Sequence, residues 1–147
     1  MDAIRLLKDD HEKMKKLLKD LEATQERDTS RRERLFTQVK EELTVHEVIE
    51  EEIFYPALKE HQKAKEIVLE AYEEHGVVDM VMAEIEQVPF DDERWGAKFT
   101  VMKENIEHHI EEEENEMFAQ ARDAFEKAEL EELGKRMMDR KEQLQAA

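Results

Sequence analysis

Apolar side chains recur along this chain in alternating steps of three and four, the spacing that lines one face of an α-helix. Over about residues 2–24 the seam reads Ile4, Leu7, His11, Met14, Leu18 and Leu21. A second segment, about 31–60, carries Phe36, Val39, Leu43, His46, Glu50, Ile53 and Ala57. A third, about 63–87, carries Val68, Ala71, His75, Val78, Met82 and Ile85. The fourth, about 93–125, carries Trp95, Phe99, Met102, Ile106, His109 and Glu113, with Met117 one place out of step. A further amphipathic stretch, about 130–145, carries Leu130, Leu133, Met137 and Leu144. Polar or turn-forming residues separate the segments. Ser30 with Glu33 reads as a capping box opening the second helix. Pro56 is expected to kink or loosen that helix near its end. Val88-Pro89-Phe90-Asp91-Asp92 reads as a loop in which either aspartate caps the fourth helix. The pattern predicts an all-α chain: an antiparallel up-down four-helix bundle with an additional short C-terminal helix, one domain over residues 1–147.

Composition narrows what such a bundle can bind. The 147 residues hold 23 Lys and Arg against 40 Asp and Glu, a formal net charge of −17. Nucleic acid and anionic membranes both call for a basic footprint, so neither is expected as a partner. No apolar run is long enough to span a bilayer, and the first residues are too charged for a secretory leader. Cysteine is absent, which removes thiolate chemistry and fits a reducing cytoplasm. Charged residues make up 43% of the chain, yet the apolar positions are too regular for disorder.

Four of the six histidines interrupt the seams, namely His11, His46, His75 and His109. Chance would place that many on two positions in seven roughly one time in twenty. Glu50 and Glu113 join them, each four residues after a histidine and so about 6 Å away on the same helical face. Each histidine also lies near the middle of its segment. In an antiparallel bundle the midpoints share one level, so all six side chains should meet in one layer. Buried among Leu, Ile and Met, each carboxylate would cost several kcal/mol without a partner. Two metal ions bridged by the carboxylates would supply one. Four imidazoles, two carboxylates and no thiolate suit iron or manganese, with zinc a competitor. Six side chains leave coordination places open on two such ions, which points to dioxygen, peroxide or nitric oxide as the ligand. His61 and His108 lie off the seams and read as solvated or outer groups. Gly76, directly after His75, reads as a point of close helix approach or access.

The strings DDH (9–11), HEVIEEEIFYPAL (46–58), EEH (73–75) and HHIEEEENEMFAQAR (108–122) resemble the hemerythrin-like, HHE cation-binding family. The resemblance covers about residues 2–145. Its two halves align, with Pro56 ten residues after His46 and Ala119 ten after His109, where the family often has proline. This favours His109 with Glu113 over His108 with Glu112. The resemblance implies a non-haem diiron centre, oxo- or hydroxo-bridged, held by His11, His46, Glu50, His75, His109 and Glu113, with Glu50 and Glu113 as bridges. One departure stands out. Oxygen-carrying members place a further histidine four residues after the one matched by His75, and this chain has Asp79 there. Asp79 falls one place off the seam. One iron would therefore lack an imidazole or take another ligand, which counts against reversible oxygen carriage.

Three functions are compatible with these residues. The leading expectation is a protein that binds or senses dioxygen or a related small oxidant. The second is a diiron enzyme acting on peroxide or nitric oxide. The third is an acidic helical interaction bundle that needs no metal.

Overall fold

The computed structural model describes the whole chain, Met1–Ala147. Five helices form it: α1 (Ala3–Glu22), α2 (29–59), α3 (Lys65–Ile85), α4 (93–124) and α5 (Lys127–Ala146). None is long and apolar enough to cross a membrane. Contacts between neighbouring helices run in opposite senses along the chain, as in an up-down bundle. Asp10 meets His46 while Thr24 meets Arg32. Tyr72 meets Glu51 while Lys40 meets Glu86. His75 meets His109 while Lys98 meets Glu84. His11 meets Glu114 while Lys103 meets Glu22.

Local chemistry sets the helix limits. Asp2 accepts the Arg5 N–H at 2.8 Å and opens α1, and Asp92 does the same for α4 through Arg94. The Ser30–Glu33 box does not form. Helix α2 begins at Thr29, and the Asp28 carboxylate accepts from Gln25 N instead. Helix α5 starts three residues before its expected limit because Glu126 and Glu129 cap it reciprocally. At 20 residues it is as long as α1. It lies against the start of the chain, where a Cβ on Gly134 would collide with the Met1–Ala3 backbone.

Two helices depart from α geometry at the same point. In α2 a π-helical turn covers Glu50–Phe54, and in α4 another covers Glu113–Met117. In each, the N–H beyond the turn reaches the carboxylate residue's own carbonyl: Tyr55 to Glu50 O, and Phe118 to Glu113 O. The extra residue per turn rotates everything that follows. The buried positions are therefore Phe54, Tyr55 and Leu58, with Ala57 only half-buried, and Met117, Phe118 and Ala121 on α4. The helix departs from α geometry just before Pro56, as expected, but such a turn does not require a proline, since the second has none.

The apolar core is split in two. One cluster of 19 residues includes Ile4, Leu7, Phe54, Tyr55, Phe118 and the α5 side chains Leu130, Leu133 and Met137. The other, of 16 residues, includes Met14, Leu18, Phe36, Met82, Trp95 and Phe99. A polar layer separates them.

Candidate metal centre

That layer is made of the six side chains named from the sequence. His11, His46, His75 and His109 are at most 8% exposed, and Glu50 and Glu113 are 0% and 1% exposed. Each helix of the bundle contributes, and all four imidazoles turn Nε2 inward. Glu50 Oε1 lies 3.2 Å from His46 Nε2 and 3.2 Å from His75 Nε2. Glu113 Oε1 lies 3.0 Å from His11 Nε2, and its Oε2 lies 3.3 Å from His109 Nε2. Both carboxylates therefore span the layer. The donors fall into two groups, His11–His46–Glu50–Glu113 and Glu50–His75–His109, within each of which the donor atoms lie no more than 4.8 Å apart. Glu50 belongs to both.

The opposite nitrogen of every ring is held by a carboxylate. His11 Nδ1 donates to Glu114 at 2.7 Å, His46 Nδ1 to Asp10 at 3.0 Å, His75 Nδ1 to Glu51 at 2.7 Å and His109 Nδ1 to Glu74 at 2.6 Å. Such bonds fix the ring and tautomer so that Nε2 presents a lone pair inward, the arrangement found around metal-bound histidine. Asp10 is in turn bonded to Lys141 Nζ of α5 at 2.6 Å. Five of the inward atoms lack partners: His11 Nε2, His46 Nε2, both Glu50 oxygens and Glu113 Oε1 are buried without a hydrogen bond. Natural proteins rarely leave buried polar atoms in that condition. A cation accounts for all five at once, and so the donor set fits a metal.

The fields inside the layer are strong. Burial pulls the His46 pKa down, but Glu50 and Asp10 override it and hold it well above the ordinary histidine value. Burial likewise opposes His109, yet Glu113 and Glu74 raise it to about 10. Glu113 is held well below the usual carboxylate range, against the pull of burial, by Glu50, His109 and His11. In the absence of a metal, protons on His46 and His109 stand in for the missing positive charge.

Tyr55 was not among the sequence candidates. Its hydroxyl donates to Glu113 Oε2 at 2.6 Å and lies 3.3 Å from both His75 Nε2 and His109 Nε2. Burial, then Glu113 and Glu50, push its pKa well above 10, so the phenol keeps its proton. The regular three-four seam carried on to Ala57 and so stepped past Tyr55; the π turn brings it inward. Met117, out of step in the other half, is the one mark of that turn in the sequence. Glu51 and Glu114 come from the acid runs 50–52 and 111–114, largely solvated faces that could also supply a carboxylate to a histidine N–H. Nothing in the sequence singled out Asp10 or Glu74 for that part.

The remaining candidates lie elsewhere. His108 is exposed and pairs with Glu112 at 2.7 Å. His61 packs edge-on against Phe125, 5.0 Å between centroids, at the far end of α2. Asp79 is exposed and stands against Glu47 rather than reaching the layer. Gly76 is exposed and a Cβ there would meet nothing within 4 Å, so it serves no close helix approach. On the side of the Met14 cluster the layer adjoins a cavity of about 30 Å³, lined in part by Met14, Leu43, Val78, Ile106 and Ile110.

The family model described as Hemerythrin HHE cation binding domain matches residues 2–121. Among solved structures, the chain is similar to the hemerythrin HHE cation binding domain-containing protein of Mycobacterium kansasii. Identity is 28% and the TM-score 0.88, over 99% of this chain and 88% of that one, so the similarity takes in α5. No curated protein matches the chain. The chain belongs to the hemerythrin HHE cation-binding family.

Proposed function

We propose that this member of the hemerythrin HHE family holds two iron ions in its buried layer and uses them to bind or sense dioxygen or a related small oxidant. The observation that carries the reading is the set of inward donor atoms left without partners, each imidazole backed by a carboxylate. His11 and His46 would hold one ion and His75 and His109 the other, with Glu50 and Glu113 shared between them. Imidazole and carboxylate together favour iron, and manganese or zinc compete for the same donors. A pair of iron ions supplies one-electron redox changes and open coordination places.

The chain's own residues do the rest. The two apolar clusters keep water away from the layer, which strengthens every charge interaction inside it. The cavity of about 30 Å³ has room for a molecule of two or three atoms. Its Met, Leu, Val and Ile lining suits a neutral diatomic. Glu114, Asp10, Glu51 and Glu74 hold the rings against rotation as the charge in the layer changes.

One observation favours a second reading, turnover of peroxide. The Tyr55 hydroxyl is a protonated donor within the layer, bonded to Glu113 and adjacent to two imidazoles. It can donate a hydrogen bond to an oxygen atom of a small oxidant bound in the layer.

Metal analysis with an absorption spectrum of the oxidised protein tests the centre. About two irons per chain with a bridged-diiron charge-transfer band is the expected result. Zinc alone overturns the redox readings, and an iron-free chain whose melting temperature ignores chelation favours the metal-free bundle. Sustained gas evolution from peroxide, lost in His46→Ala, assigns an enzyme. A single stoichiometric ligand spectrum without turnover assigns a binder.

A further inference from the structure

The two halves of the bundle differ on their outer faces. Beside His75 a groove of about 460 Å³ opens between α2 and α3, lined in part by Glu47, Glu51, Glu52 and Asp79. Glu47 and Glu51 are one turn apart on α2, and His75 and Asp79 one turn apart on α3, so the two pairs face each other. Donor atoms of Glu47, Glu51 and His75 lie within 4.8 Å of one another. Glu47 is only 8% exposed and its Oε2 is buried without a hydrogen-bond partner. The nearby Lys40 does not neutralise the group, since it pairs with Glu86 at 3.0 Å. The acidity is specific to this face. The positions that correspond to Glu47 and Asp79 in the other half of the molecule are Ile110 and Lys15, an apolar side chain and a positive charge.

We propose that Glu47, Glu51 and Asp79 form a docking site for a hard divalent cation, Fe²⁺ or Mn²⁺, on its way to the buried layer. Three carboxylates at an open groove offer the oxygen donors that such ions take, with room for the waters they keep. Glu51 connects the two sites, because its Oε2 lies 2.7 Å from His75 Nδ1. An ion docked there is one imidazole away from the inner donors. The face between α4 and α1, with Ile110 and Lys15 in place of Glu47 and Asp79, lacks two of the three carboxylates. The proposal rests on reading the buried layer as a metal centre.

The test uses the full chain loaded with iron and titrated with Mn²⁺, following the electron paramagnetic resonance of the free ion. One Mn²⁺ beyond the centre is expected. Its affinity should fall about 10–100-fold in Asp79→Asn and stay unchanged in Asp91→Asn, which removes the same charge from a distant loop. In stopped-flow loading of the metal-free protein, Asp79→Asn should take up Fe²⁺ several-fold more slowly and reach the same final content. Equal Mn²⁺ binding by the two variants would assign it to the diffuse acidity of the surface and overturn the site. Wild-type loading kinetics in Asp79→Asn would overturn the uptake role. A chain that retains no iron fails the inner centre instead, and the outer site is then read as the Mn²⁺ that Asp79→Asn loses relative to the wild-type chain.

Discussion

The half of the molecule built by α1 and α2 and the half built by α3 and α4 repeat one design. His11 corresponds to His75, His46 to His109, Glu50 to Glu113, Glu51 to Glu114 and Asp10 to Glu74, and both carboxylates start a π turn. Where the halves differ, the difference touches the layer. Tyr55 puts a hydroxyl against His75 and His109, whereas its counterpart Phe118 stacks on His11, 5.9 Å between centroids. Asp10 is 9% exposed and paired with Lys141, whereas Glu74 is 27% exposed and bonds no lysine or arginine. The His11–His46 position is thus enclosed and charge-balanced. The His75–His109 position has a proton donor and looser outer carboxylates. The repeat places the same donors twice, and a hydroxyl stands against them on one side only.

The largest effect follows from removing what the halves share. Glu50 lies on both donor groups, so Glu50→Ala should strip both positions at once. Metal content should fall from about two per chain to near zero, with a large drop in melting temperature, because binding energy is folding energy in such a site. Elemental analysis and calorimetry read both. Retention of one ion would mean that Glu113 alone suffices and that the halves are more independent than the geometry implies.

Exchanging the residues that differ comes next. Tyr55→Phe makes both halves apolar at this point and should keep both metals while lowering peroxide turnover about 10²–10⁴-fold, the usual worth of a positioned proton donor. Phe118→Tyr gives the other half the same hydroxyl and should alter the spectrum of the His11–His46 position alone. Unchanged turnover in Tyr55→Phe would leave the phenol a hydrogen-bonding core residue with no part in the reaction.

A smaller effect separates the outer supports. Lys141 Nζ holds Asp10 Oδ1 at 2.6 Å, and Asp10 Oδ2 orients His46 from 3.0 Å. His46 and Lys141 lower the Asp10 pKa against the opposing pull of burial. In Lys141→Gln only His46 is left to offset that burial, and the carboxylate holds His46 less firmly. Affinity at the His11–His46 position should weaken about tenfold with the other position untouched. Arg140 still pairs with Glu52 at 3.1 Å and anchors α5, so the loss cannot be assigned to undocking. Stepwise chelation resolves the two ions.

The six layer residues were legible because burial and helical spacing leave a periodic trace that histidine and glutamate visibly interrupt. Tyr55 was not, because a π turn breaks the period that locates side chains. The outer carboxylates were hidden by composition: in a chain this acidic, Glu51 or Glu114 reads the same whether it bonds an imidazole or water. Helix α5 showed its amphipathic stripe but not its length, since the Glu126 cap draws on a reciprocal bond to Glu129 rather than on the usual Ser, Thr or Asp. Lys141 became meaningful only when α5 docked beside α1 and α2, a contact between distant parts of the chain.

Acidity tests the layer without any mutation. In the metal-free chain the His109 pKa stands at about 10, while an unfolded histidine titrates near 6.5. Its stabilising charge is complete below about 6.5 and lost as pH climbs toward about 10. Burial and Asp79 lift Glu47 to about 8. That shift acts in the same sense, its contribution fading from the ordinary carboxylate range up to about 8. The melting temperature of the chelated protein should therefore fall steadily from pH 6 to pH 9. The metal-loaded protein, with its imidazoles neutral, should not follow it. Parallel curves would mean that the chelator had removed nothing from the layer.

The smallest effect concerns Gly76, which follows His75 where Glu12 follows His11. Were this glycine a gap through which ligand reaches the more reactive half, Gly76→Ala would slow oxidant binding. The structure gives a different expectation. The added methyl would meet no atom within 4 Å, and the backbone there is ordinary α-helix. Alanine then only reduces the freedom of the unfolded chain and adds helix propensity, worth about 0.5–1 kcal/mol. Denaturant unfolding should show that gain while stopped-flow ligand binding stays at the wild-type rate. A slower rate would place the access route beside α3, on the outer face of His75 that Glu47 and Asp79 line, and would join ligand access to the groove proposed for the cation.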